Sequence, residues 1–176
     1  MGTLIQSPPR TLMDVFDMLP EGTLAELINN RLYMAPAPTF FHQDIGLELC
    51  WQFKQFLKEK GNAILAPFDV KLDEDRNAVQ PDITVILKSN PNQINSKGRY
   101  LGVPDLIVEI LSEGNKDHDL ITKKDLYEKF GVTEYWIVDP ETKLALGFSL
   151  QENRYVKIRE SIGQIESKLL QAQFKF

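Results

Sequence analysis

The chain has 176 residues, 43% hydrophobic and 26% charged, with 20 Lys+Arg against 25 Asp+Glu and a formal net charge of −5. These values fit one globular domain over residues 1–176 with a sizeable core, and they exclude a disordered or low-complexity chain. A single cysteine, Cys50, excludes an internal disulfide, and two histidines, His42 and His118, cannot build a zinc site alone.

The apolar stretches are only strand-sized, and residues 1–10 lack the basic-then-apolar layout of a signal peptide. A cytoplasmic protein without a membrane span is therefore expected. Residues 11–18 predict a short helix, stopped by Pro20 and Gly22. Residues 24–28 and 31–34 flank Asn29-Asn30, a pair that tolerates positive φ, and so predict a hairpin. After a Pro-rich loop over 35–39, Ile45, Leu49, Phe53, Phe56 and Leu57 recur at helical spacing and predict a long helix over 41–60, closed by Gly61. Strands are expected at 63–66, 68–72, 83–87 and 106–111, with a turn over 73–77 and a loop over 90–98. Residues 119–130 read as an amphipathic helix closed by Gly131, and 135–138 as a strand halted by Asp139-Pro140. Residues 143–150 with 154–158 read as a second hairpin. The strand–helix–strand unit across 106–138 requires a crossover, so the fold class is α/β with a mixed, partly parallel sheet flanked by helices, preceded by an N-terminal helix and hairpin.

Three residues break this pattern. Glu109 interrupts Leu106-Ile107-Val108-Glu109-Ile110-Leu111, a run apolar on both faces as in a central strand. A buried carboxylate there must be paired, protonated or metal-bound, and for Glu109 alone an internal ion pair or hydrogen bond is the plainer explanation. Asp82 sits at the mouth of a second apolar strand, directly after Pro81; if the two strands are neighbours, both carboxylates converge where a hard cation could bind. Pro104-Asp105 in the same chain shows that Pro-Asp alone is an ordinary strand-entry device. On the 119–130 helix, Leu120, Lys123, Tyr127 and Phe130 share one stripe, placing Lys123 at the centre of the sheet-facing side and Lys124 toward its edge. A lysine held near two carboxylates can orient an attacking water or meet the charge of a phosphate, although a snorkelling side chain accounts for the position too.

The spaced set Pro81-Asp82-Ile83, Pro104-Asp105-Leu106-Ile107-Val108-Glu109-Ile110-Leu111-Ser112, Asp119-x3-Lys123-x3-Tyr127 and Gly131-Val132-x-Glu134-Tyr135-Trp136-Ile137-Val138-Asp139-Pro140 resembles the Uma-type family, whose members are described as restriction endonucleases of the PD-(D/E)XK nuclease superfamily. The resemblance extends through Ala66-Pro67-Phe68-Asp69-Val70 and Glu26-Leu27-Ile28. It implies a restriction-endonuclease-like fold and a metal-dependent phosphodiesterase site. Asp82 and Glu109 would hold Mg²⁺ or Mn²⁺, and Lys123 would complete a catalytic set of Asp82, Glu109 and Lys123. In the usual nuclease motif the lysine follows the glutamate by two residues; here that position is Leu111, so the helix must supply it. Glu113 stands where the family commonly has proline, and Asn29-Asn30 where it commonly has Asp-Gly. Glu26 and His42 match recurrent family positions and are accessory site candidates, with a hairpin ion pair for Glu26 and helix capping for His42 as competing roles.

The expected function is a metal-dependent endonuclease acting on DNA, working as a homodimer so that two sites can cut two strands, with the hairpin over 144–156 as the interface. The alternative is a catalytically idle module that keeps the fold and binds DNA or another partner. The net charge of −5 weighs toward that alternative, since DNA binders are often basic. A local exception is the stretch 83–104, which has no acidic residue but carries Lys88, Lys97 and Arg99.

Overall fold

The computed structural model describes residues 8–112 and 118–176. Thr11 starts α1 (Leu12–Asp17) by a reciprocal cap: its hydroxyl accepts the Asp14 N–H at 3.0 Å, and Asp14 Oδ2 accepts the Thr11 N–H at 3.0 Å. Strands β1 (Ala25–Ile28) and β2 (Arg31–Met34) form the expected hairpin, and Asn29 and Asn30 turn it with φ of 50° and 60°, the left-handed pair that a two-residue turn demands.

Thr39 caps α2 (Phe40–Leu57), which buries Ile45, Leu49, Phe53 and Leu57, while Phe56 at the margin of that stripe stays exposed. The helix runs on into a 3-10 turn over Lys58–Lys60 that Gly61 closes, as expected, and Gly61 is at the same time the first residue of β3 (Gly61–Leu65). The second role is steric: a Cβ at Gly61 would meet the Ile86 carbonyl oxygen at 2.6 Å, so the strand needs glycine there. Next come β4 (Val70–Lys71), β5 (Ala78–Val79), β6 (Ile83–Leu87), β7 (Tyr100–Leu101) and β8 (Leu106–Ile110). The expected helix after β8 is wound in two ways, a π-helical stretch over His118–Lys123 followed by α3 (Lys124–Phe130), which Gly131 closes at φ 90°. Strands β9 (Glu134–Val138), β10 (Leu144–Gln151), β11 (Arg154–Ile162), β12 (Gln164–Ser167) and β13 (Ala172–Lys175) complete the chain.

The strands build a six-stranded sheet in the order β11-β10-β9-β8-β6-β3 and a five-stranded one in the order β2-β1-β5-β4-β7, with β12 and β13 as a separate hairpin. Strands β8 and β9 run parallel across α3, as the crossover requires, and β6 lies antiparallel to β8. One face of the main sheet, with Ile83, Val85, Leu106, Val108 and Trp136, packs on α2 and the β12–β13 hairpin. The other face, with Ile86, Ile107, Tyr135 and Ile137, packs on α3 and the smaller sheet. Burial on both faces is what makes these strands read as unbroken apolar runs, each Leu or Ile contributing about 1.5–3 kcal/mol.

Lys88, Lys97 and Arg99 are exposed, but their loop joins the C-terminal end of β6 to the N-terminal end of β8. Asp105 fastens it there, its Oδ2 accepting the Leu87 N–H at 2.7 Å and the Asn90 amide at 2.9 Å. That is the end of the strands away from Asp82 and Glu109, so the basic stretch does not border the carboxylates. Among the described residues, no helix is long and apolar enough to cross a membrane.

Candidate functional site

The register of β6 and β8 pairs Ile83 with Val108, so one step further along the antiparallel ladder sets Asp82 opposite Glu109. The condition that brings the two carboxylates together is therefore met. Asp82 precedes the first paired residue of β6 and is clamped to the neighbouring strand, its Oδ2 accepting the Ile110 N–H at 2.7 Å. The same oxygen lies 3.2 Å from His42 Nε2, which the first turn of α2 brings across from the other side of the sheet. Thr39, not the His42 side chain, provides the cap of α2, its hydroxyl accepting the His42 N–H.

Glu109 is 2% exposed. Its Oε1 accepts the Tyr127 hydroxyl at 2.6 Å and the Lys123 ammonium at 3.0 Å. Lys123 Nζ lies equally close, 3.0 Å, to Glu26 Oε1, so this lysine bridges a strand of the large sheet and a strand of the small one. Glu26 thus has partners outside its own hairpin. Its Oε1 also accepts the Gln80 N–H at 2.8 Å, and the Gln80 side-chain amide is tied to Asp69 Oδ1 at 2.8 Å and to the Thr23 carbonyl at 3.0 Å. Of the five residues singled out in the sequence, Glu26, Glu109 and Lys123 form one bonded set, and His42 and Asp82 form a pair at the adjoining position of the neighbouring strand.

Lys123 is buried at the centre of its helical stripe, with Tyr127 below it and Phe130 partly covered; the Leu120 side chain and Glu113 lie outside the described residues. Lys124 turns away, its ammonium 5.1 Å from the Phe148 ring centroid and 5.9 Å from that of Tyr155. Leu111, at the usual place of the nuclease lysine, is packed in the core beside Tyr127. The lysine that meets Glu109 comes from the helix instead.

Tyr127 and Gln80 are the members that the sequence does not disclose. An aromatic on an apolar stripe reads as packing, and Tyr127 does pack edge-on against Tyr135 at 5.2 Å. Its hydroxyl gives it a second task. Burial first, then the nearby charges of Glu109 and Glu26, hold its pKa well above that of an ordinary tyrosine, so it remains a neutral donor to Glu109. Three carboxylates against one ammonium and one imidazole leave a net negative charge whether or not His42 is protonated. The donor set is hard oxygen, which fits a divalent cation of the Mg²⁺ or Mn²⁺ type. Among the described residues, no three Asp, Glu, His or Cys side chains already form a ligand cage. The protein would supply two carboxylates, with water and a phosphate supplying the rest, as is usual for Mg²⁺.

One family description covers nearly all of this architecture: Uma2, "Putative restriction endonuclease", matches residues 13–172. The chain belongs to the Uma2 family. Every residue of the network falls within the matched span. Among solved structures, the Uma2 chain is similar to one described as a "putative nuclease belonging to DUF820" from Anabaena variabilis ATCC 29413, with a TM-score of 0.72, 20% sequence identity, and coverage of 92% of this chain and 91% of that one. At that identity the likeness establishes the fold, mixed sheets flanked by a few helices. No curated protein matches the chain.

Proposed function

We propose that this Uma2 protein is a metal-dependent endonuclease that hydrolyses DNA phosphodiester bonds at the Asp82–Glu109–Lys123 site. The observation that carries the reading is the position of Lys123, 3.0 Å from both Glu26 and Glu109 at the strand ends shared with Asp82. A buried ammonium between carboxylates from two sheets is costly to assemble for stability alone. The family description and the name of the structural neighbour point to the same class of reaction.

Asp82 and Glu109 would hold Mg²⁺ or Mn²⁺, which when bound supplies an activated water and charge stabilisation at the phosphate. His42 holds Asp82, and Tyr127 holds Glu109, so both carboxylates keep fixed orientations. Glu26 keeps the Lys123 ammonium within the site, where it can meet the negative charge of a phosphodiester. Water adds to phosphorus, one P–O ester bond breaks, and a phosphomonoester and an alcohol result. Two copies would allow both strands of a duplex to be cut.

The test is cleavage of supercoiled plasmid and of single- and double-stranded oligonucleotides with Mg²⁺ or Mn²⁺. Cleavage that EDTA abolishes and that Asp82→Ala lacks is the expected result. A parent protein that cuts none of these substrates with either ion would favour the catalytically idle module instead.

A further inference from the structure

The end of α2 and the 3-10 turn that follows it gather positive charge. Lys54, Lys58 and Lys60 are all exposed, and the Lys58 N–H donates to the Lys54 carbonyl, which places those two residues one turn apart. A fourth cation arrives from the sheet: the Lys88 N–H, directly after β6, donates to the Lys60 carbonyl at 2.7 Å. Lys88 is exposed as well, and the loop that continues from it carries Lys97 and Arg99 at its surface. Against these four lysines stands one exposed carboxylate, Glu59. Asp105, beneath the loop, is turned onto the Leu87 N–H and the Asn90 amide. The cations of β11 are different, because Arg154, Lys157 and Arg159 are paired with Glu128, Glu160 and Glu166 at 3.2, 2.7 and 2.9 Å.

A chain of net charge −5 repels a polyanion over most of its surface, so an uncompensated basic face decides where one can approach. Ammonium groups on flexible stems suit phosphates as point charges, without the planar fork that reads base edges. The position fits too. From Asp82 to Lys88 the chain follows β6 for about 20 Å at ~3.3 Å per residue, the length of roughly six base pairs at ~3.4 Å each. Helix α2 spans the same interval, with His42 at the Asp82 end and Lys54 and Lys58 at the other. A duplex whose scissile phosphate lies at Asp82, and which follows the strand direction, therefore meets the lysines with its flank about half a turn away.

We infer that the face formed by Lys54, Lys58, Lys60 and Lys88 binds the phosphate backbone of double-stranded DNA beside the cleavage position. The choice of DNA among polyanions rests on the nuclease reading of the site, but the face is separate from that site and needs no metal. It anchors the duplex without reading its sequence, because phosphate contacts carry no base information.

The test is fluorescence anisotropy of a labelled duplex of about 30 base pairs and arbitrary sequence, titrated with the full chain in EDTA at about 50–200 mM salt. One variant combines Lys54→Gln, Lys58→Gln, Lys60→Gln and Lys88→Gln. A second removes as much charge elsewhere through Lys129→Gln, Arg154→Gln, Lys157→Gln and Arg159→Gln, and circular-dichroism melting checks that both fold. The first should bind more than about tenfold more weakly at low salt, with a slope of log K against log salt shallower by about 3–4. Lys60→Gln with Lys88→Gln alone should give about half that change in slope, and the second variant should stay close to the parent. A parent that does not bind the duplex at about 50 mM salt overturns the inference. So does a first variant with the parent's slope, or a second variant that loses as much. Preference of the parent for vesicles of phosphatidylserine and phosphatidylcholine over the duplex overturns it also, by making the face a membrane contact. Plasmid cleavage with Mn²⁺, run alongside, separates the two readings. Lysine-dependent binding by a parent that cuts nothing supports the face and rejects the nuclease, while cleavage with lysine-independent binding does the reverse.

Discussion

Strands β8 and β9 each carry one glutamate that water scarcely reaches, Glu109 at 2% exposure and Glu134 at 1%. They sit on opposite faces of the sheet, because Glu109 shares its side with Ile107, and Glu134 shares its side with Trp136. Glu134 is satisfied by two neutral donors, one per oxygen: the Trp136 indole N–H and the Leu169 backbone N–H, each at 2.7 Å. Those partners tie the C-terminal hairpin to the sheet and leave nothing for a substrate to meet. Glu109 accepts from an ammonium and a phenol, with a second carboxylate on the same ammonium and a third across the strand pair. Burial alone therefore does not separate a scaffold carboxylate from a chemical one. Under the proposed function, the charge of its partners does.

The comparison breaks first at Glu109 itself. Glu109→Gln keeps shape and a hydrogen-bond acceptor but removes the charge, so cleavage should fall on the order of 10²–10³-fold with little change in melting temperature. Glu134→Gln should leave cleavage per folded molecule unchanged. If both glutamine variants lose activity equally, the distinction drawn from their partners is wrong.

Lys123→Met should reduce cleavage by about 10²-fold and also destabilise the protein by about 3–5 kcal/mol, because Glu26 and Glu109 lose the cation they share. Adding Glu26→Gln to Lys123→Met should recover part of that stability and none of the activity, read by urea unfolding and plasmid cleavage side by side. Lys124→Met, which gives up its contacts with Phe148 and Tyr155 and its attraction to Glu128, should cost less than about 1 kcal/mol and leave cleavage intact.

Glu134→Leu tests the scaffold side. It leaves the Trp136 and Leu169 donors buried without acceptors, for a loss of about 2–4 kcal/mol in urea unfolding. The rate per folded molecule should not move.

Among the changes around Glu109, the mildest is Tyr127→Phe, about 1 kcal/mol of stability and roughly tenfold in cleavage, as Glu109 loses one of the donors that orient it. Its pH dependence has a definite sign. The folded-state pKa of Tyr127 is raised, so its contribution is complete below about pH 10 and is lost as pH climbs toward the folded value. Tyr127→Phe should therefore lose less stability than the parent on going to strongly alkaline pH. Tyr100, Tyr155 and Cys50, each also raised chiefly by burial, contribute to the alkaline loss that remains.

Much of this was legible in the sequence, for identifiable reasons. A charged residue inside a two-sided apolar strand marks Glu109, and a lysine at the centre of an apolar stripe marks Lys123; both anomalies persist in the folded chain as a bonded pair. The hairpin at Asn29-Asn30 and the strand–helix–strand crossover follow from backbone preference and connection geometry. Tyr127 escaped because periodicity records its ring and not its hydroxyl, and Gln80 because its role depends on β5 lying against β1, a long-range pairing. Glu134 escaped because a polar residue at the start of a strand looks like an ordinary entry position. The hairpin of β12 and β13 buries few side chains, Ile165 and Phe174 foremost, too few for a period to show.

The account rests on Asp82 and Glu109 sharing a divalent ion. Calorimetric titration of Mn²⁺ into the parent, Asp82→Ala, Glu109→Ala and Glu134→Gln tests that directly. Binding at one site per chain in the parent and in Glu134→Gln, and its loss in the other two, is the predicted result; equal binding by all four proteins would contradict the assignment.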